Sequence, residues 1–367
     1  MEPHVPAKLP LDCFDWTKFI RLIGQANAEL ARYDGILQGI VNPQVLLSPL
    51  TMQEAVLSSK IEGTQTSLEE VLEYEAAQEA APDRTEDIRE VLNYRQAMRE
   101  AVKYLERRPV CLNLLKKIHR TLMEGVRGQE KGRGQFRKIQ NWIGRPDSTL
   151  ETAKFVPPDP VTMTESLSNW EKYIHHDEQD RLVQLAVIHG QFEIIHPFSD
   201  GNGRVGRMII PLVLFGYDML SSPMFYLSAY LERHRDAYYD RLFGITDKGH
   251  WDEWVLFFLT AIREQARENC AQAKATLDLY DRMKAELPSM VATQFSVQAL
   301  DALFDRPIFR PGDFVKRSGI SKRTSMRILG ALEENGVLLA VHEQRGRKPA
   351  VLAFSELIAI TERKGVA

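Results

Sequence analysis

The chain has 367 residues, a length that suits two or three domains, with 44% hydrophobic and 26% charged residues and a formal net charge of −3. No apolar run is long enough to span a bilayer, and Met1 to Trp16 lacks the charged start and apolar core of a secretory signal. The three cysteines (Cys13, Cys111 and Cys270) have no paired spacing, which excludes a disulfide framework and fits a reducing, cytoplasmic setting.

The charge is unevenly spread. Between Asp305 and Lys348, ten Lys and Arg stand against five Asp and Glu, so a small basic module is expected at the C-terminal end of an otherwise acidic chain. The chain as a whole is not built to coat nucleic acid. Residues 1–84 read as an N-terminal helical domain. Thr51 and Glu54 have capping-box spacing, Met52, Val56 and Ile61 give the following helix an apolar side, and Gly63 can end it with a positive φ. Ser67 and Glu70 repeat the capping spacing and start a second helix.

Residues 85–275 read as a helical domain interrupted once. The runs Gly132 to Gly144 and Ala153 to Pro158 carry β-branched and aromatic residues on either side of the turn-rich Arg145 to Ser148, which predicts a β-hairpin. A long helix is predicted from Arg181 to Ile195. Residues 290–367 read as a winged helix-turn-helix. Pro311 suits a first helical turn, Gly319 a turn, and Ser321 the cap of a second helix ending near Gly336. Leu338 to Val341 and Ala350 to Phe354 form two strands joined by the basic turn Arg345 to Lys348. Lys322, Arg323 and Arg327, with Arg345, Arg347 and Lys348 in the wing, are the residues that would meet DNA. The alternative is that this module packs on the rest of the chain or joins two copies.

The chemistry concentrates between His196 and Arg207. Pro197 stops the preceding helix at His196. Gly201 and Gly203 flank Asn202, so backbone amides can converge just where an apolar helix resumes at Arg204, and a helix N-terminus favours a bound anion. Arg204 and Arg207 lie three apart, within reach of phosphate oxygens. Asp200 is a hard oxygen donor beside that anion site, and His196 is a natural general base. Each feature alone has an ordinary structural reading: a turn, a structural or exposed histidine, solvated arginines. Their joint occurrence within one short segment points to phosphate chemistry.

The segment His196, Phe198, Asp200, Gly201, Asn202, Gly203, Arg204 and Arg207 resembles the Fic family motif HxFx(D/E)GNGRxxR at every fixed position. The resemblance extends to His189 through His196, to Phe136 and Arg137, Asn141 to Gly144 and Phe155 to Pro158, to Tyr238 through Leu242 and Trp251 through Trp254, and to Leu47 through Leu72. It implies a mainly α Fic-type bundle with a β-hairpin flap and an enzyme that moves AMP from ATP to a Ser, Thr or Tyr hydroxyl of a protein, itself among the possible targets. His196 would be the base and Asp200 the Mg²⁺ ligand. Gly201, Asn202, Gly203 and Arg204 would cradle the phosphates, Arg207 would anchor their far end, and Tyr238 would line the adenine pocket. Gln140, Asn141, Trp142 and Ile143 would take target backbone as an added strand. Doc-type kinases have Lys where this chain has Gly203, which favours AMP over phosphate transfer. Ser58 to Gly63 fits the family's inhibitory pattern (S/T)xxxE(G/N), so Glu62 would pair with Arg207 and hold the γ-phosphate off, while the same glycine caps the helix on either reading. Likeness to relatives also implies a homodimer. Two rivals stay open: a DNA-binding regulator using the fold as a nucleotide sensor, and the same site removing AMP or transferring another nucleotide.

Overall fold

The structure, a computed structural model, describes residues 2–77, 84–144, 147–342 and 350–362. After a short 3-10 turn at Trp16–Lys18 the elements are α1 (Ile20–Gly39), α2 (Pro43–Leu46), α3 (Ser48–Ile61), α4 (Leu68–Ala77), α5 (Thr85–Leu105), α6 (Leu112–Leu122), α7 (Pro160–Ile174), α8 (Arg181–Ile195), α9 (Asn202–Gly216), α10 (Ser228–Arg233), α11 (Arg235–Lys248), α12 (Trp251–Met290), α13 (Ser296–Asp305), β1 (Ile308–Phe309), α14 (Pro311–Ser318), α15 (Lys322–Glu334), β2 (Leu339–His342), β3 (Val351–Ala353) and α16 (Ser355–Glu362). The mainly helical expectation holds. Two compact units result: Met1–Asp34, Leu57–Gly63 and Leu92–Arg267 form one, and Gly35–Val56, Thr64–Val91 and Glu268–Ala367 the other. The units are interleaved along the sequence, because α1, α3, α5 and α12 each run through a boundary.

The first unit is built on α8 and α9. Every residue from Leu182 to Phe192 is buried, and α9 is buried from Val205 to Leu214. A helix that is apolar on all sides belongs in the middle of its unit. Asp180 caps α8, accepting from the amides of Leu182 and Val183, each at 2.9 Å. The indoles of Trp170 and Trp254 donate to the Ile188 and Ala186 carbonyls at 2.8 Å, so two of the largest enclosed side chains are satisfied by α8 backbone. α7 and α11 flank α8, and α6 flanks α9. The loop between α8 and α9 is therefore held from both ends by the core.

In the second unit, α13, α14 and α15 pack in succession, and β1, β3 and β2 form an antiparallel sheet in that order. The predicted start of α14 at Pro311 holds, as do the turn at Gly319 (φ 67°) and the Ser321 cap of α15. Arg345, Arg347 and Lys348 lie outside the described residues. Among the described residues no helix is long and apolar enough to cross a membrane.

Two local expectations need correction. Thr51 does not cap a helix: α3 already begins at Ser48, and the Thr51 hydroxyl donates back to the Leu47 carbonyl at 3.2 Å. Pro49 explains the earlier start, since its fixed φ suits a first turn and leaves no amide to satisfy. The capping box at Ser67 and Glu70 does form, through reciprocal bonds of 2.8 and 3.1 Å. Among the described residues, the hairpin predicted between residues 132 and 158 shows one antiparallel bridge, Ile143 to Phe155. Side-chain-to-backbone bonds replace the rest of the ladder, as described below.

Candidate active site

His196 closes α8 in the left-handed conformation, φ 49° and ψ 60°, with its amide bonded to the Phe192 carbonyl. Pro197 enforces the exit from the helix. The imidazole Nδ1 lies 3.3 Å from the Glu193 carbonyl, so Nδ1 carries the proton and Nε2 keeps its lone pair. Burial pulls His196 down to about 4, which keeps the ring neutral at physiological pH.

The loop to α9 is held by its own residues. Asn202 bonds both ways to the backbone of Phe198, accepting from its amide and donating to its carbonyl at 2.8 Å each. Gly201 has φ 75°, and a side chain there would come within 3.0 Å of Met123 Sδ. Gly201→Ala should therefore cost about 1–2 kcal/mol for the left-handed backbone. Thermal unfolding should show a midpoint a few degrees lower, and an unchanged midpoint would contradict this placement of the loop. Asp200 Oδ1 accepts from the Gly201 amide at 2.6 Å and lies 3.9 Å from Arg204 Nη2.

Arg207 is enclosed, its side chain 1% exposed. Nε donates to Ser58 Oγ at 2.9 Å, and Nη2 donates to the Ser58 carbonyl and to Glu62 Oε1 at 2.7 Å each. Nη1 is buried without a partner among the described residues. Burial alone would lower the Arg207 pKa, but the Glu62 carboxylate reverses this and holds it above the usual arginine value. Likewise burial would raise Glu62, and the Arg207 guanidinium holds it below the usual carboxylate range. A side chain at Gly203 would strike Glu62 Oε1, so glycine is what lets this ion pair sit against the start of α9.

These groups open on a cleft of about 1250 Å³. It brings together Glu62, Ile143, His196, Gly203, Arg207 and Tyr238, all singled out from the sequence. The lining omits Ser58, Asp200, Gly201, Asn202 and Arg204, and also Gln140, Asn141 and Trp142. The Arg204 and Arg207 side chains diverge from their shared stretch of α9: Arg204 Nη2 lies 3.8 Å from Met123 Sδ, away from Glu62. Tyr238 is buried, and its hydroxyl bonds His189 Nε2 at 2.9 Å, so it contributes a wall rather than a free polar group. The flap is tied down by side chains. Gln140 donates to the Pro157 carbonyl at 2.8 Å, Asn141 to Phe198 at 3.3 Å, and the Trp142 indole to Ser148 at 2.9 Å.

Three residues that carry this geometry escaped the sequence reading. Arg137 donates from Nε to the His196 carbonyl at 3.0 Å and from its terminal nitrogens to Ile139, Pro158 and Ile195, lacing both flap arms to the end of α8. His119 stacks on Phe198 at 3.9 Å. Its Nδ1 accepts from the Gly134 amide at 2.8 Å, which leaves Nε2–H to donate to the Asp200 carbonyl at 3.0 Å. Glu193 lines the cleft one turn before His196. Sequence reasoning placed Arg137 and Glu193 only within resembling stretches, and nothing near His119 in sequence signals what it touches.

Two models of known families match consecutive parts of the chain: the Fic/DOC family N-terminal region over residues 20–103 and the Fic/DOC family domain over residues 109–214. The chain belongs to the Fic family. Its relatives include a probable protein adenylyltransferase of Aquifex aeolicus, 29% identical over 192 residues, which are 52% of this chain and 56% of that protein. A protein adenylyltransferase Fic of Culex quinquefasciatus is 27% identical over 183 residues, 48% of this chain and 30% of that protein. The chain thus spans about half of the first relative's length and less of the second's. Among solved structures, a Fic family protein from Desulfovibrio desulfuricans superposes with a TM-score of 0.59 at 19% identity, covering 96% of this chain and 98% of that one. Fic-1 from Caenorhabditis elegans gives 0.51 at 18%, covering 70% and 73%. Both support the fold.

Proposed function

We propose that this Fic protein transfers AMP from ATP to a hydroxyl side chain of a target protein, with the region 85–275 as its catalytic part. The observation that carries the reading is a neutral imidazole at the end of α8 facing the cleft that Gly203 and a partly unsatisfied Arg207 also line. His196 Nε2 would take the proton of the target Ser, Thr or Tyr hydroxyl. The oxygen would attack the α-phosphorus in line, forming an O–P bond while pyrophosphate leaves with the electrons of the broken P–O bond. The orphaned Nη1 of Arg207 is a ready donor for a β- or γ-phosphate oxygen, and the amides opening α9 favour the same charge.

Asp200, whose Oδ1 lies beside the start of α9, is the carboxylate that would hold a Mg²⁺ ion. A metal bound there would neutralise phosphate charge. Glu62, in the region 1–84, would act as a built-in restraint by occupying Nη2 of Arg207. Incubation with α-labelled ATP, comparing wild type with His196→Ala and Glu62→Gly, tests the reading. Label transfer that depends on His196 supports it, and release of AMP from a premodified target, without transfer, supports the reverse reaction instead.

The region 290–367 supports a second reading. Lys322, Arg323 and Met326 are exposed along one side of α15, behind the Ser321 cap, as on a helix that enters a DNA groove. Arg327 is less suited, since it donates to the Ala292 carbonyl at 2.9 Å, and Arg317 is turned inward to Ala302 and Asp305. If this is a DNA-binding winged helix, Lys322→Ala with Arg323→Ala should lower the slope of log affinity against log salt by about two on duplex DNA. Equal slopes would remove DNA from the account.

A further inference from the structure

Glu193 has no task in the reaction just described, yet its position is constrained. Its side chain lines the cleft with Glu62 and Arg207, and Oε1 is enclosed against Gly206 with no hydrogen-bond partner among the described residues. An ionised carboxylate with an enclosed, unpartnered oxygen is the costliest form this group can take. The charge balance adds to the argument: Arg207 already has Glu62 as its counter-charge, so a second carboxylate would make the cluster net negative where a polyphosphate has to land.

We infer that Glu193 is a positioning residue of the anion site that serves as a neutral acid, so that nucleotide binding requires its proton. When Glu62 leaves Arg207, Glu193 can ionise and take over as counter-charge; a polyphosphate then displaces that charge only as Glu193 takes up one proton, which leaves its O–H free to donate to a phosphate oxygen. This rests on reading the cleft as the ATP site.

The groups facing Glu193 make the linkage readable. On its own helix, burial holds His196 at about 4 and His189 at about 3, so both stay neutral through the neutral range. On α11, burial pushes Tyr239 up to about 12 and holds Tyr238 well above its ordinary value, so both stay protonated. Arg207 on α9 stays cationic, and Glu62 in the turn after α3 stays anionic. Burial raises Glu193 to about 8 despite Arg207, with the Glu62 charge adding to the rise, so Glu193 is the member of this set that changes state near neutrality, and at a lower pH once Glu62 is gone.

The test is ATP binding to the full chain by calorimetry, from about pH 6 to about pH 9, for Glu62→Gly and for Glu62→Gly/Glu193→Gln. Affinity of the single variant relative to the double should fall about tenfold per pH unit above the Glu193 titration. ATP's own ionisation cancels in that ratio. In the single variant, heats measured in buffers of different ionisation enthalpy should reveal close to one proton taken up per ATP near the alkaline end. This readout does not need the double variant to fold. A ratio that stays level, or no proton uptake while ATP still binds, overturns the role of Glu193 and leaves the nucleotide site standing. Absence of ATP binding at every pH overturns both.

Discussion

Replacing Glu62 by glycine is expected to raise AMP incorporation about 10- to 100-fold. Arg207 spends Nη2 on Glu62 Oε1 at 2.7 Å, in surroundings where the guanidinium is 1% exposed. A hydrogen bond between charged groups is worth about 1.5–3 kcal/mol net, and each ~1.4 kcal/mol is a factor of ten. Nη1 is open to a phosphate oxygen, but one that also takes Nη2 must first displace that bond. In Glu62→Gly the Ser58 contacts to Nε and Nη2 remain, so Arg207 keeps its aim while losing its competitor. Gly63 already ends the turn with φ 106°, so a second glycine there perturbs little of α3. Glu62→Gln, which keeps shape and loses charge, should fall between the two. The sign with pH follows from the depressed Glu62 carboxyl: the pairing is present above the ordinary carboxylate pKa and is lost only as pH falls through the lowered folded value. The gap between wild type and variant should therefore persist from neutral pH well into acid. Radiolabel counting on trapped protein is the measurement, and equal incorporation by both proteins would end the account of a restraint.

In the same background, His196→Ala should lower incorporation by about 10²- to 10⁴-fold, the usual contribution of a positioned base. ATP binding should survive, because the proposed phosphate donors lie on α9 and the imidazole touches only the Glu193 carbonyl among the hydrogen bonds described. A ring held at about 4 by burial is unprotonated at neutral pH, so the acid limb that His196 imposes on kcat/KM should lie far below the ordinary histidine value. Loss of ATP binding together with loss of transfer would instead make His196 a structural residue.

Much of this site could be read locally because its residues act through backbone they themselves shape. Pro197 ends α8, Gly201 accepts φ 75°, and Gly203 leaves room at the start of α9, all within a few positions of one another. Capping at Ser67 and Ser321 was legible for the same reason, whereas Thr51 misled because Pro49, two residues earlier, offered a competing helix start. The flap was overread as a hairpin. Its β-branched residues do pair at Ile143, but Gln140, Asn141 and Arg137 hold the segment by side-chain bonds that alternation in sequence does not encode.

What the sequence alone determined was the helical class, the end of the helix at His196, the glycine-lined start of α9 and the presence of a histidine, a carboxylate and two arginines beside it. Which arginine faces the cleft was decided only by the tertiary structure: Arg207 turns to Ser58 and Glu62, Arg204 to Met123 and Asp200. The same holds for His119 on the Asp200 carbonyl and for the uncompensated oxygen of Glu193. The physical reason is range. Backbone dihedrals and caps answer to neighbours within a turn, while burial, charge pairing and the protonation state that follows depend on groups that chain folding brings in from far along the sequence.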